Sequence, residues 1–243
     1  MSEEIAANKR RVTVLVVGEV VVVTVIVGVL AALLVGWWAV PVVLVLAAAA
    51  AFVAERRSTG VVLARAGGVE ADAERHARLH NLIEGLSVAA GVPKPDLYVV
   101  DDPAPNAMAC GRSPRTAAVV VTQGLLDDLT RIELEGVLAH ELSHIRSLDI
   151  LPATVAAVLA APLGPRAVAW VVPPGREASA DAQGVSITRY PPGLLSALEK
   201  IELSAERMRP RSRTIAHLWL VPPETGATPG PSFDDRIEAL KEL

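Results

Sequence analysis

The chain has a single cysteine, Cys110, in 243 residues, which excludes an internal disulfide and a metal site built from thiolates. No histidine stands near Cys110 in sequence, so it reads as a small apolar residue rather than a catalytic thiol. Histidine is itself scarce, with five in all. There is no large basic block, and a net charge of -4 argues against nucleic acid as a partner. Apolar sequence is abundant: 51% of residues are hydrophobic and the mean hydropathy is +0.40, high for a soluble protein. Part of the chain therefore belongs in a lipid bilayer.

Met1 to Arg11 is polar and ends in Lys9-Arg10-Arg11, after which Val12 to Val35 is almost continuously apolar apart from Thr13, Glu19 and Thr24. That run is long enough to cross a bilayer. It is too long for a cleaved signal peptide, lacks a clean small-residue cleavage site and leads straight into more apolar sequence. A second span is expected from about Trp37 to Val53, ahead of Glu55-Arg56-Arg57, with Trp37 and Trp38 in a connection suited to the interface. Basic residues at both outer ends, and none in the turn, place both ends in the cytoplasm. The expected organisation is a membrane hairpin over residues 1–57 (spans about 12–35 and 37–53) and a cytoplasmic domain over 58–243 at the cell membrane. Glu19 lies within the first span, where a charge is costly; it offers a self-association point or a contact with the second helix.

Beyond the hairpin, Ser58 to Gly68 reads as a linker, and Val69 to Ala90 as an amphipathic helix stopped by Gly91-Val92-Pro93. His76 and His80 stand four apart on it with no carboxylate between them, which favours a solvated or structural role. Asp96 to Val100 and Ala117 to Thr122 read as strands, with an extended piece from Asn106 to Cys110 between them. A free sheet edge beside a metal site can pair with a substrate backbone as an added strand.

The stretch Val137-Leu138-Ala139-His140-Glu141-Leu142-Ser143-His144 holds the chemistry. Leu134, Val137, Leu138 and Leu142 recur at helical spacing, so His140 and His144 rise from one face of a half-buried helix and can hold one metal ion together. Glu141 stands beside the metal, placed to take a proton from water, as the H-E-x-x-H pattern of zinc peptidases requires. A catalytic zinc needs a third protein ligand. Glu177 is the best candidate, because Asp181, four residues later on the same helical face, can hold the outer nitrogen of a ligating histidine. Asp149 is a second candidate for such outer support.

Asn106-Ala107-Met108-Ala109-Cys110-Gly111, then Val121-Thr122-Gln123-Gly124-Leu125-Leu126, then Leu134 to Ile145, then Arg176-Glu177 with Ala180-Asp181-Ala182-Gln183-Gly184, resemble in order the motifs of the HtpX-like membrane zinc endopeptidases. The resemblance implies an α+β chain: a transmembrane helical hairpin followed by a mainly helical zincin-type domain with a small sheet. It also implies one zinc held by His140, His144 and Glu177, with Glu141 as general base. The implied activity is proteolysis of misfolded or damaged membrane proteins from the cytoplasmic side. The chain departs from that pattern in three places. Residues 150–174, where such proteins carry a second membrane hairpin, form a short apolar, membrane-proximal segment broken by prolines. Ala178 replaces an aromatic, and Gly230 stands where a histidine suited to the oxyanion is expected. Asn106, Arg189, Tyr190 and His217 are the substitutes to test, and Asn106 with Ala107 the candidates for substrate binding. Two rival readings follow: a metal-binding membrane scaffold of weak or no activity, and a membrane metallopeptidase of the antibiotic-sensing kind, for which no sensor domain follows Leu243.

Overall fold

The computed structural model describes residues 2–173, 175–208, 212–223 and 232–243. Two long helices open the chain: α1 (Ser2–Leu34) and α2 (Ala39–Ala66), joined through Gly36 at φ 121°, a left-handed conformation that favours glycine. Both are long and apolar enough to cross a membrane. Apart from the turns nearest the domain and the seam where the two helices meet, most of their valines and leucines are exposed. Trp37 and Trp38 are exposed at the connection.

The expected linker is a correction. α2 continues without a break from the apolar span through Arg57 to Ala66, and Gly67 in the left-handed conformation ends it. Gly60 costs a helix interior only about 1 kcal/mol relative to alanine, which the packing of α2 inside the protein outweighs. The expected helix from Val69 also begins later. Val69–Glu70 form a short strand, β1, and Asp72 Oδ1 accepts the amides of Glu74 and Arg75 in a turn, so α3 spans only Ala77–Ala90.

β2 (Asp96–Val100), β3 (Ala107–Cys110) and β4 (Ala118–Thr122) complete a four-stranded sheet of order β1-β2-β4-β3. β2 and β4 run parallel, and β3 lies antiparallel on the outer side of β4. Alternate side chains serve two cores. Leu97, Val99, Ala107, Ala109, Val119 and Val121 pack with α3 and with α5 (Arg131–Ser147). Val100, Met108, Cys110, Ala118 and Val120 pack toward α2 and α6 (Ile150–Leu159). Both faces of β4 are covered, which is why its run Ala118-Val119-Val120-Val121 is apolar throughout rather than alternating.

α4 (Gln123–Asp128), α7 (Pro165–Val171), α8 (Arg176–Thr188), α9 (Pro191–Leu203), a 3-10 turn (Arg213–Leu218) and α10 (Phe233–Lys241) follow the sheet or surround it. α6 has ten residues, too few to span a bilayer, and all but Val158 are buried inside the protein. The apolar character of residues 150–159 is thus that of a core helix. Past it, Leu163 and Trp170 are exposed, the latter on α7 near α1.

Candidate metal centre

α5 begins with a capping box, Thr130 Oγ1 accepting the Glu133 amide while Glu133 Oε2 accepts that of Thr130. Glu133 also binds Ser196 Oγ and Lys200 Nζ, which ties the start of α5 to α9. The helix ends at Leu148, a leucine at φ 57°, and α6 leaves it at 82°. This forced left-handed residue turns Asp149 back toward the helix it follows. Asp149 Oδ2 then accepts His144 Nδ1–H at 2.9 Å.

Glu177, Asp181 and Gly184 lie at i, i+4 and i+7, along one face of α8. A Cβ at Gly184 would stand 2.9 Å from His140 N and 3.0 Å from its Cα, so the bare glycine lets α8 lie directly on the backbone of α5. One and two turns earlier, Asp181 and Glu177 meet the histidines. Asp181 Oδ1 accepts His140 Nδ1–H at 2.8 Å; Glu177 Oε2 lies 3.4 Å from His140 Nε2 and Oε1 lies 3.8 Å from His144 Nε2. Donor atoms of His140, His144 and Glu177 all fall within 4.8 Å of one another, with both histidines fully buried and Glu177 partly so.

A carboxylate only accepts, so each histidine carries a hydrogen on Nδ1, and a ring without a second proton presents a lone pair at Nε2. Those two Nε2 atoms face each other at 3.1 Å. Two acceptors at that distance need a cation between them, a proton or a metal ion. Burial alone would lower the His140 pKa, but the bonds to Asp181 and Glu177 outweigh it and raise it to about 9. Burial would likewise raise the Glu177 carboxyl, yet Arg176 and His140 hold it well below the usual range. Both groups are thus biased toward a state that binds positive charge, and the residues fit a metal ion.

Two arginines enclose the cluster. Arg236 Nε and Nη2 donate to Asp181 Oδ2 and Oδ1 at 2.7 and 2.8 Å, and Nη1 lies 3.6 Å from Glu177 Oε2. Arg176 Nε lies 2.9 Å from Glu177 Oε1. Sequence reasoning gave neither a role. The signal for Arg236 was its place in the apolar face of α10 beside Ile237 and Leu240, where a buried guanidinium requires a carboxylate. Glu141 is 1% exposed, and its Oε2 has no hydrogen-bond partner among the described residues. Burial raises its pKa.

Residues 73–163 match the family described as Peptidase family M48. A Protease HtpX homolog from Dictyoglomus thermophilum is 36% identical over 235 residues, covering 79% of this chain and 78% of the relative. The chain belongs to the HtpX-like protease family. Homologs from Tropheryma whipplei and Salinibacter ruber are 37% and 34% identical, covering 68% and 76% of this chain and 72% and 81% of their own length. The family is one of peptidases, which disfavours the scaffold reading, and the two apolar helices make the HtpX-like chain a membrane protein.

The other expected site residues fall outside the cluster. Ala107 opens β3 and Asn106 directly precedes it, its side chain binding the backbone of Val221. His217 Nε2–H donates to Ala153 O, and burial lowers the ring to about 4, so it is neutral. Arg189 and Tyr190 follow the far end of α8, twelve and thirteen residues past Glu177, a rise of about 18 Å or more. Gly230 lies outside the described residues. His80 Nε2 binds Ala71 O and His76 precedes α3, so neither belongs to the cluster. Burial, with the nearby Glu141 charge, pushes the Cys110 thiol up to about 12, which leaves it protonated and inert.

Proposed function

We propose that this HtpX-like chain is a zinc endopeptidase, anchored by its helical hairpin, that cleaves misfolded or damaged membrane proteins on the cytoplasmic side. The observation that carries the reading is the pair of histidine Nε2 atoms turned on each other beside Glu177, each ring fixed from behind by a carboxylate. In this reading His140, His144 and Glu177 hold one zinc ion per chain. When bound, zinc supplies Lewis acidity at the peptide carbonyl and makes water a stronger nucleophile near neutral pH.

Glu141, whose buried Oε2 has no hydrogen-bond partner among the described residues, acts as general base, accepting a proton from water at Oε2 and returning it to the leaving amine. Asp181 and Asp149 fix the tautomer of the two histidines, and Arg236 keeps Asp181 charged. Asn106 and Ala107, at the start of the edge strand, hold the substrate backbone. Of the four candidate oxyanion donors, His217 and Asn106 are already engaged and Arg189 and Tyr190 are remote. Losing such a donor costs about a hundred- to a thousandfold in rate, so slow turnover is expected.

The orientation is supported by where the domain meets the hairpin. Asn8 Nδ2 donates to Ser147 O and Arg65 Nη1 to Ala157 O, so the domain sits at the hairpin ends that carry Lys9, Arg10, Arg11, Arg56 and Arg57, opposite Trp37 and Trp38. Glu19 and the outward apolar faces leave room for self-association in the bilayer. The purified full chain in detergent should cleave an unfolded test protein, lose this on chelation and regain it with one zinc per chain. Cleavage that survives complete metal removal would defeat the proposal.

A further inference from the structure

β3 is the outer strand of the sheet, and its pairing fixes which peptide groups face outward. Thr122 N–H donates to Asn106 O at 3.0 Å, so Asn106, Met108 and Cys110 turn toward β4, while Ala107, Ala109 and Gly111 turn away from it. An extended polypeptide would add itself along that outward edge. The chain already holds most of it. Leu220 N–H donates to Ala107 O at 2.8 Å. The Asn106 carboxamide reads Val221 in both directions, Nδ2 donating to its carbonyl at 2.7 Å and Oδ1 accepting its amide at 3.0 Å. At the other end Gly111 N–H donates to Thr154 Oγ1 at 2.9 Å. Among the described residues, only Ala109 of the three has no hydrogen-bond partner on that side.

The segment that occupies the edge is fastened at its base. Arg65 Nη1 on α2 donates to Thr214 Oγ1 and to Ala157 O, both at 2.9 Å, and His217 Nε2–H donates to Ala153 O at 2.9 Å. Trp219 and Leu220 are then buried, one in each core. The segment thus leaves α2 and α6 and crosses to β3, placing a backbone amide and carbonyl against the Asn106 and Ala107 groups assigned above to substrate.

We propose that residues 219–221 are an internal strand that occupies the substrate edge of β3, and that an extended polypeptide must displace it before cleavage. The proposal rests on the peptidase reading. A substrate strand recovers the bonds at Asn106 and Ala107 and adds a pair at Ala109, which the internal strand does not make. Displacement uncovers Trp219 and Leu220, so short or weakly extended peptides compete poorly.

Amide hydrogen exchange at Leu220 and Val221 tests this in the full-length Glu141→Gln chain in detergent, with and without a saturating peptide that the wild type cleaves. Protection at both amides is expected to fall by about tenfold or more on peptide binding. Bound peptide with unchanged protection overturns the proposal. Arg65→Ala and Thr214→Val, which free the base of the segment, should raise exchange at both amides and lower KM with kcat unchanged. A looser segment with the same or a higher KM overturns it as well. Should either variant fail to fold, the Glu141→Gln measurement decides, because it leaves the segment intact. A wild type that cleaves nothing sinks the peptidase reading and the internal strand with it; cleavage with unchanged exchange sinks the strand alone.

Discussion

Asp181→Asn keeps the shape of the outer carboxylate and removes its charge. Asp181 is 4% exposed and accepts three bonds, one from His140 Nδ1 and two from Arg236. An amide at that place offers one oxygen, and its NH2 group meets a donor wherever it points. Arg236, 3% exposed, would keep only Glu177 Oε2 at 3.6 Å as a carboxylate partner. Breaking a buried, hydrogen-bonded pair on one side costs about 3–5 kcal/mol. Loss of a histidine-orienting carboxylate lowers metal affinity by about ten- to a hundredfold. The double variant Asp181→Leu with Arg236→Met removes both charges. It should recover most of the stability, since no charge is stranded, yet keep the weakened metal affinity, since His140 Nδ1 still lacks its acceptor. Thermal unfolding in detergent reads the first quantity and competition with a metal-binding dye the second. Wild-type metal affinity in Asp181→Asn, or recovery of both quantities in the double variant, would refute the reasoning.

Gly184→Ala should destabilise by about 1–3 kcal/mol and weaken metal binding, because the added methyl meets α5 backbone 2.9 Å away and pushes Asp181 and Glu177 off the histidines; unfolding and metal titration check it. Burial would raise the Glu133 pKa, but the Thr130 amide, Lys200 and Ser196 outweigh it and lower the value to about 2. A lowered folded value means that this stabilisation is present above the ordinary 4.5 and is lost as pH falls from there toward 2. Glu133→Gln should therefore destabilise at neutral pH and approach the wild type in acid, read from unfolding midpoints across that window.

Features resting on short spacings were legible in the sequence. His140 and His144 announce their shared face, Glu177 and Asp181 theirs, and Asp149 lies five residues from the ring it holds. The span of α1 was legible because a bilayer imposes length and composition directly. Features resting on distant pairing were not. Arg236 meets Asp181 across 55 residues, and residues 220–221 meet Asn106 and Ala107 across more than a hundred. No local pattern encodes either. The helical reach of α2 past Arg57 was hidden because Ser58, Thr59 and Gly60 carry linker composition, while packing on α6 and the Arg65 anchor hold the segment helical. Whether residues 150–159 enter lipid was not legible, because a helix buried all round in protein has the composition of one buried in lipid.

Metal content and peptide cleavage, measured side by side on the wild type and Glu141→Gln, test the central claim most directly. With His140, His144 and Glu177 untouched, the variant should retain the same zinc per chain while cleavage falls by about a hundred- to ten-thousandfold. A variant that keeps its metal and cleaves at the wild-type rate would contradict the account.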